Sequence, residues 1–169
     1  HEKWFENMYS LYRGERKEPF YLNGVYGHAP DHDIIYTEPE KWVEQALEDL
    51  ANKAYNVISE ERFVPLCIQQ DPYGVHFIDK IFGAEVVRKS GGWNSFYLTT
   101  PIGELKKPDL KTNETWLIAE RVAKAFVEAD VSVPLFGLPT IASVLNIAVN
   151  LYGQNILIAM IEDPEAARH

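Results

Sequence analysis

Four residues with chemistry to offer crowd into one short stretch: Asp71, Tyr73, His76 and Asp79. Asp71 ends a short apolar run, the place where barrel enzymes put their reacting groups. A carboxylate there can hold an N–H, stabilise a developing cation or orient a ligand. The plainer expectation is that Asp71-Pro72 starts a turn or caps the following helix. His76 and Asp79 stand three apart, so a helix would put them on one face. An imidazole at that place is a proton donor that works near neutral pH; the plainer expectation is a helix-surface pair. Tyr73, Trp93 and Tyr97 could stack on a flat ligand or simply pack the core and hairpin.

His28, His32 and Asp33 form the one cluster with metal-ligand character. Imidazole and carboxylate suit zinc or iron. Pro30 opposes the helix that would align the two histidines, so a solvated loop is the simpler expectation. Cys67 alternates within an apolar strand pattern and reads as a small buried hydrophobe. Ser143 has no G-x-S-x-G elbow around it, which argues against a serine nucleophile.

These residues need elements to hold them. Residues 2–13 carry Trp4, Phe5, Met8 and Leu11 at helical spacing, and residues 20–26 suit a strand. Thr37-Glu38-Pro39-Glu40 has the form of a capping box opening a helix to about residue 60. Its inner face is Trp42, Val43, Ala46, Leu47, Leu50, Ala54 and Val57. Residues 63–69 and 132–136 are short apolar runs, as expected of buried parallel strands. Residues 75–82 and 114–130 suit helices, the second with Trp116, Ala119, Ala123 and Phe126 inward. Residues 86–100 read as a hairpin with Gly91-Gly92 as its turn. A helix over 139–152 is expected to begin at Pro139 and end on Gly153. A further helix leads to Asp163-Pro164, where Pro164 should start another.

Composition narrows the function. The chain has 169 residues, 46% of them apolar, enough for a sizeable core. A net charge of −9 argues against nucleic acid or an anionic membrane as partner and leaves a small-molecule substrate. The apolar stretch 131–152 is interrupted by Pro134, Gly137, Pro139, Asn146 and Asn150, unlike a membrane span. The single cysteine excludes an internal disulfide and fits a reducing cytoplasm. Alternating strands and helices indicate βα units. No GxGxxG follows a strand, so a dinucleotide fold has no support.

Two segments resemble the uroporphyrinogen decarboxylase-like superfamily, which includes corrinoid-dependent methyltransferases. In FVPLCIQQDPYGVHFIDKIFGAEV, residues 63–86, Asp71 and Gly83-Ala84-Glu85-Val86 follow the family's order of a strand, a mouth Asp and a Gly-x-Glu-Val-like run. In FGLPTIASVLNIAVNLYGQNILIAMIEDPE, residues 136–165, the Gly-x-Pro loop Gly137-Leu138-Pro139 precedes a Thr-Ile-Ala helix, a Gly break and Asp-Pro-Glu. The resemblance implies an α/β fold: the first half of a (β/α)8 TIM barrel, with an N-terminal helix and a β-hairpin insertion. A whole barrel needs about 250 residues, so residues 1–169 are expected to be one α/β domain, the N-terminal half of a larger barrel. Exposed strand edges would then favour a homodimer.

The implied reaction is decarboxylation of an acidic cyclic substrate, with Asp71 catalytic and Tyr73, His76, Gly137, Leu138 and Pro139 binding substrate. No cofactor is then required within this chain. The methyltransferase branch would instead use a corrinoid and zinc, with ligands in a C-terminal half. A third reading is a non-catalytic α/β ligand-binding domain. Two features depart from the decarboxylases proper. Tyr12-Arg13-Gly14-Glu15-Arg16-Lys17 lacks the spacing of their basic N-terminal segment, and Ser143 or Val144 stands where they carry a tyrosine.

Overall fold

A computed structural model describes residues 2–17, 33–57, 67–136 and 142–168, together with the backbone-only ends of two elements. The chain divides into two compact units, His1–Gln69 with Lys124–Phe136, and Gln70–Ala123 with Gly137–His169.

The first unit holds α1 (Glu2–Tyr12), α2 (Ile34–Thr37), α3 (Pro39–Val57), β1 (Ile68–Gln69) and β4 (Leu135–Phe136). Pro39 occupies the first turn of α3, where its missing N–H costs nothing. Pro39, Trp42, Val43 and Ala46 then recur at helical spacing and are all buried. The capping box does not form. Thr37 closes the preceding helical turn, and its hydroxyl donates to the Ile34 carbonyl instead. β1 and β4 pair in parallel, with Ile68 opposite Leu135 and Gln69 opposite Phe136. Ile68 N–H adds a bond to the Pro134 carbonyl at 3.1 Å. Parallel strands need a crossover, and here some sixty residues, Gln70 to Pro134, supply it.

The second unit carries a 3-10 turn (Gly74–His76), α4 (Phe77–Ile81), β2 (Val86–Lys89), β3 (Gly92–Ser95), the start of α5 (Glu114–Glu128), α6 (Val144–Tyr152), α7 (Asn155–Glu162) and α8 (Pro164–Arg168). The expected hairpin is present, and β2 pairs antiparallel with β3. Its turn falls one residue before the expected Gly91-Gly92. Lys89 pairs with Gly92, leaving Ser90 and Gly91 as the loop, with φ of 53° and 80°. Both values are positive, as a type I′ turn requires.

Helix ends follow side-chain chemistry. Asn113 Oδ1 accepts from Trp116 N–H at 3.0 Å and so caps α5. Its Nδ2 donates to the Ile81 carbonyl at 3.0 Å, tying that cap to the end of α4. The α6 helix begins at Val144 rather than Pro139, because Ser143 Oγ accepts from Asn146 N–H and serves as N-cap. Gly153 ends it as expected, with φ 64° and ψ −150°. Asp163 ends α7 and starts α8: its N–H bonds Ala159, and its Oδ1 accepts from Ala166 N–H.

Two apolar clusters hold this unit. Ala84, Leu151, Tyr152 and Ile156 form one, with Phe82, Leu98, Ile102 and Ile147 against them. Phe77, Ile81 and Ala119 form the other, with Tyr73, Ile78 and Trp116. Each large aliphatic or aromatic side chain buried this way contributes roughly 1.5–3 kcal/mol. The architecture is mixed α/β and rich in helix, with one parallel and one antiparallel strand pair among the described residues; it does not display a barrel. No single described helix is long and apolar enough to cross a membrane. The α6–α7 pair is apolar enough jointly, but it bends by 109°.

Candidate acid–base site

Asp71 opens the site's local structure. Its carbonyl accepts from Gly74 N–H at 2.9 Å, closing a turn over Pro72 and Tyr73. Pro72 is fully buried at the position where its fixed φ suits a turn. Tyr73 follows with φ 59° and ψ 11°, a left-handed conformation that is a genuine outlier for a bulky side chain. Gly74 comes next, also left-handed, and the Trp93 ring sits so close that a Cβ there would meet Trp93 Cδ1 at 3.0 Å. Only glycine lets the hairpin tryptophan approach this turn. The Tyr73 and Trp93 rings then lie 5.4 Å apart, tilted by 58°.

One turn later the expected surface pair is a buried one. Asp79 is 1% exposed, and its Oδ2 lies 2.7 Å from His76 Nδ1. The same oxygen accepts from Asn150 Nδ2 on α6 at 3.0 Å. Asp79 is buried because α4 is amphipathic with Phe77 and Ile81 inward, and residue 79 falls on that same side. A buried carboxylate is tolerable only where donors meet it. Two do so here at Oδ2, whereas Oδ1 has no hydrogen-bond partner among the described residues.

This geometry decides the chemistry of the imidazole. Against a carboxylate, Nδ1 must carry the hydrogen, because an ionised carboxylate only accepts. The other nitrogen, Nε2, is left to exchange a proton. The His76 side chain is 18% exposed, so a ligand can reach it. An Asp behind a His fixes the tautomer and stabilises the imidazolium once it forms. Burial, and then the Glu114 charge, push the Tyr73 phenol above its ordinary value, so it stays a hydrogen-bond donor at neutral pH.

Of the residues singled out by sequence, Tyr73 and His76 share one turn, and Asp71 leads into it. Gly137, Leu138 and Pro139 lie outside the described residues, as do His28 and His32. Asp33 is exposed beside α2 and makes no side-chain cap. Among the described residues, no group of three or more His, Cys, Asp or Glu side chains is placed to hold a metal. Cys67 is a half-buried free thiol. Tyr97 does not join Tyr73 and Trp93 in any ring contact among the described residues; its ring lies on Gly153, 2.9 Å from where a Cβ would be. A cavity of about 430 Å³ lies in the first unit, lined by Asn7, Ser10, Glu15, Arg16 and Lys17, and contains none of these residues.

Sequence reasoning missed Asn150. Its signal was present: an amide in the charge-free run from Val144 to Ile161 must find a partner if buried.

The chain matches no protein-family model, no curated protein and no solved structure.

Proposed function

We propose that this chain is part of a uroporphyrinogen decarboxylase-like lyase in which His76 is the proton-transfer group. The observation that carries the reading is the buried Asp79 carboxylate, which joins His76 Nδ1 to Asn150. Supporting it are the order of Asp71 and Gly83-Ala84-Glu85-Val86 and the segment 136–165. In the proposed step the bond from ring substituent to carboxylate breaks, and carbon dioxide leaves. The electron pair stays on carbon, and His76 Nε2 delivers the proton that replaces the carboxylate. Asp79 stabilises the imidazolium before transfer, and solvent returns the proton afterwards. Asp71 is the electrostatic anchor beside this turn.

The test is carbon dioxide release by the full natural gene product from uroporphyrinogen and simpler cyclic polycarboxylates. His76→Gln should cost roughly 10²–10⁴ in kcat, the usual worth of a general acid. Asp71→Asn should lower turnover with little loss of stability. Absence of carbon dioxide release from every substrate removes the lyase reading. Methyl transfer from methylcobalamin to a thiol would move the protein to the corrinoid branch. Binding without turnover would make it a ligand-binding domain.

A further inference from the structure

Beside His76 the second unit lays four side chains in a row. Lys80 Nζ stands 5.8 Å from the Tyr73 ring centre. Tyr73 meets Trp93 at 5.4 Å. The Arg88 guanidinium carbon stands 5.9 Å from the Trp93 ring centre. The order is cation, ring, ring, cation, and it is held from both sides. Gly74 admits Trp93 to the turn, and the register of β2 on β3 pairs Arg88 with Trp93.

Lys80 is the informative member. It follows His76 by four residues along the continuous helical run from Gly74 to Ile81, so the two share a face. It is half-buried. Its sequence neighbour Asp79 is taken by His76 and Asn150. Among the described residues no carboxylate lies within ion-pair distance of the Lys80 ammonium. In a chain of net charge −9, a half-buried ammonium without a carboxylate is the exception.

We infer that Lys80 and Arg88 bracket a subsite for a flat ligand bearing several carboxylates, with one carboxylate on Lys80 beside the His76 imidazole. This deepens the proton-transfer reading of His76 and rests on it for the meaning of the placement. The two rings supply a flat apolar wall, and the cations at its ends select for negative groups at the ligand's rim. Lys80 is then a specificity residue. It decides which anionic compound is presented to His76 and takes no proton itself.

The probe is mellitate, a flat ring with a carboxylate on every carbon, against benzoate, which has one. Binding to the full chain is read by calorimetry and by the His76 imidazole resonances. Wild type should bind mellitate roughly ten- to a hundredfold more tightly than benzoate, and added salt should weaken it. Lys80→Met should remove most of that preference, Lys80→Arg should keep most of it, and Arg88→Met should lose less than Lys80→Met. Mellitate affinity that is unchanged in Lys80→Met, or insensitive to salt in wild type, overturns the subsite. Selective mellitate binding without decarboxylation of any substrate leaves the subsite standing and removes the lyase. Decarboxylation with an unchanged KM in Lys80→Met does the reverse.

Discussion

Helices α4 and α7 partition their residues in opposite senses. The five-residue α4 buries an acidic side chain, Asp79, between Phe77 and Ile81. The eight-residue α7 buries Ile156 and leaves Leu157, Ile158, Met160 and Ile161 exposed, Ile161 to 84%. Residue type alone would have assigned these the other way round. The difference lies in partners. Asp79 meets an imidazole from its own turn and an amide from α6, so its desolvation is offset. The outer side chains of α7 meet nothing among the described residues that removes them from solvent. Neither helix is long enough to persist alone in water, so contacts made elsewhere in the second unit fix both.

The most direct way to break this comparison is to remove the carboxylate. Asp79→Ala leaves His76 Nδ1 and Asn150 Nδ2 without their acceptor, and should cost about 2–4 kcal/mol. In a chain of this size, that lowers Tm by about 5–15 °C. Replacing Asp79 and Asn150 together by leucine should recover part of the loss, because no buried donor then remains on α6. A double variant as unstable as Asp79→Ala would mean that the carboxylate is held by something other than this pair.

Gly153 tests how α7 is aimed. It combines φ 64° and ψ −150° with a Tyr97 ring that a new Cβ would meet at 2.9 Å. Gly153→Ala should cost about 1–3 kcal/mol, mostly backbone strain. The same change made in a Tyr97→Ala background should be only slightly milder, since Tyr97 is exposed and its ring can swing aside. Full rescue by Tyr97→Ala would make the effect steric.

Alkaline unfolding sharpens the α4 side. The phenols of Tyr73 and Tyr152 are both raised above the ordinary 10.0, Tyr73 by burial and then Glu114, and Tyr152 by burial. A raised phenol binds its proton more tightly when folded. Its contribution is therefore complete below pH 10 and disappears as pH climbs through the raised value. Urea midpoints should fall above about pH 10, and Tyr73→Phe should flatten that fall. An identical profile in the variant would show that Tyr73 titrates as it does unfolded.

The smallest effect belongs to α7. Ile161→Lys should change stability by no more than about 0.5 kcal/mol, as for any exposed position. A loss well above that would reveal a covered face and narrow the contrast with α4.

These contrasts also mark what the sequence could disclose. Apolar periodicity located α1, α3 and α5, and the β-rich flanks around glycines located the hairpin. Within α5, the expected Ala119 and Phe126 are buried, and so is Val122, the most buried residue of that helix. Local rules failed where a neighbour outbid them. The Thr37 box matched in letters, but Thr37 was already spent in the preceding turn. The hairpin turn slipped by one because Ser90 takes a φ of 53° that the sequence gives no reason to expect. The burial of Asp79 was out of reach, because it depends on Asn150, distant in the chain. Ser143 was visible as a residue without a nucleophile's surroundings, and its role is to cap α6.

The Asn150–Asp79 bond spans 71 residues. The hairpin, by contrast, closes through a two-residue loop and can form within microseconds. Drawing α6 onto α4 requires ordering the chain between them, whose closure entropy must be met before the contact rewards it. The bond therefore belongs to the late part of folding, after the turn and the hairpin are in place. Contacts made late govern how fast the native chain opens more than how fast it forms. The amide of Asn150 thus acts as a clock on the site, setting how long His76 stays aimed before the second unit lets go.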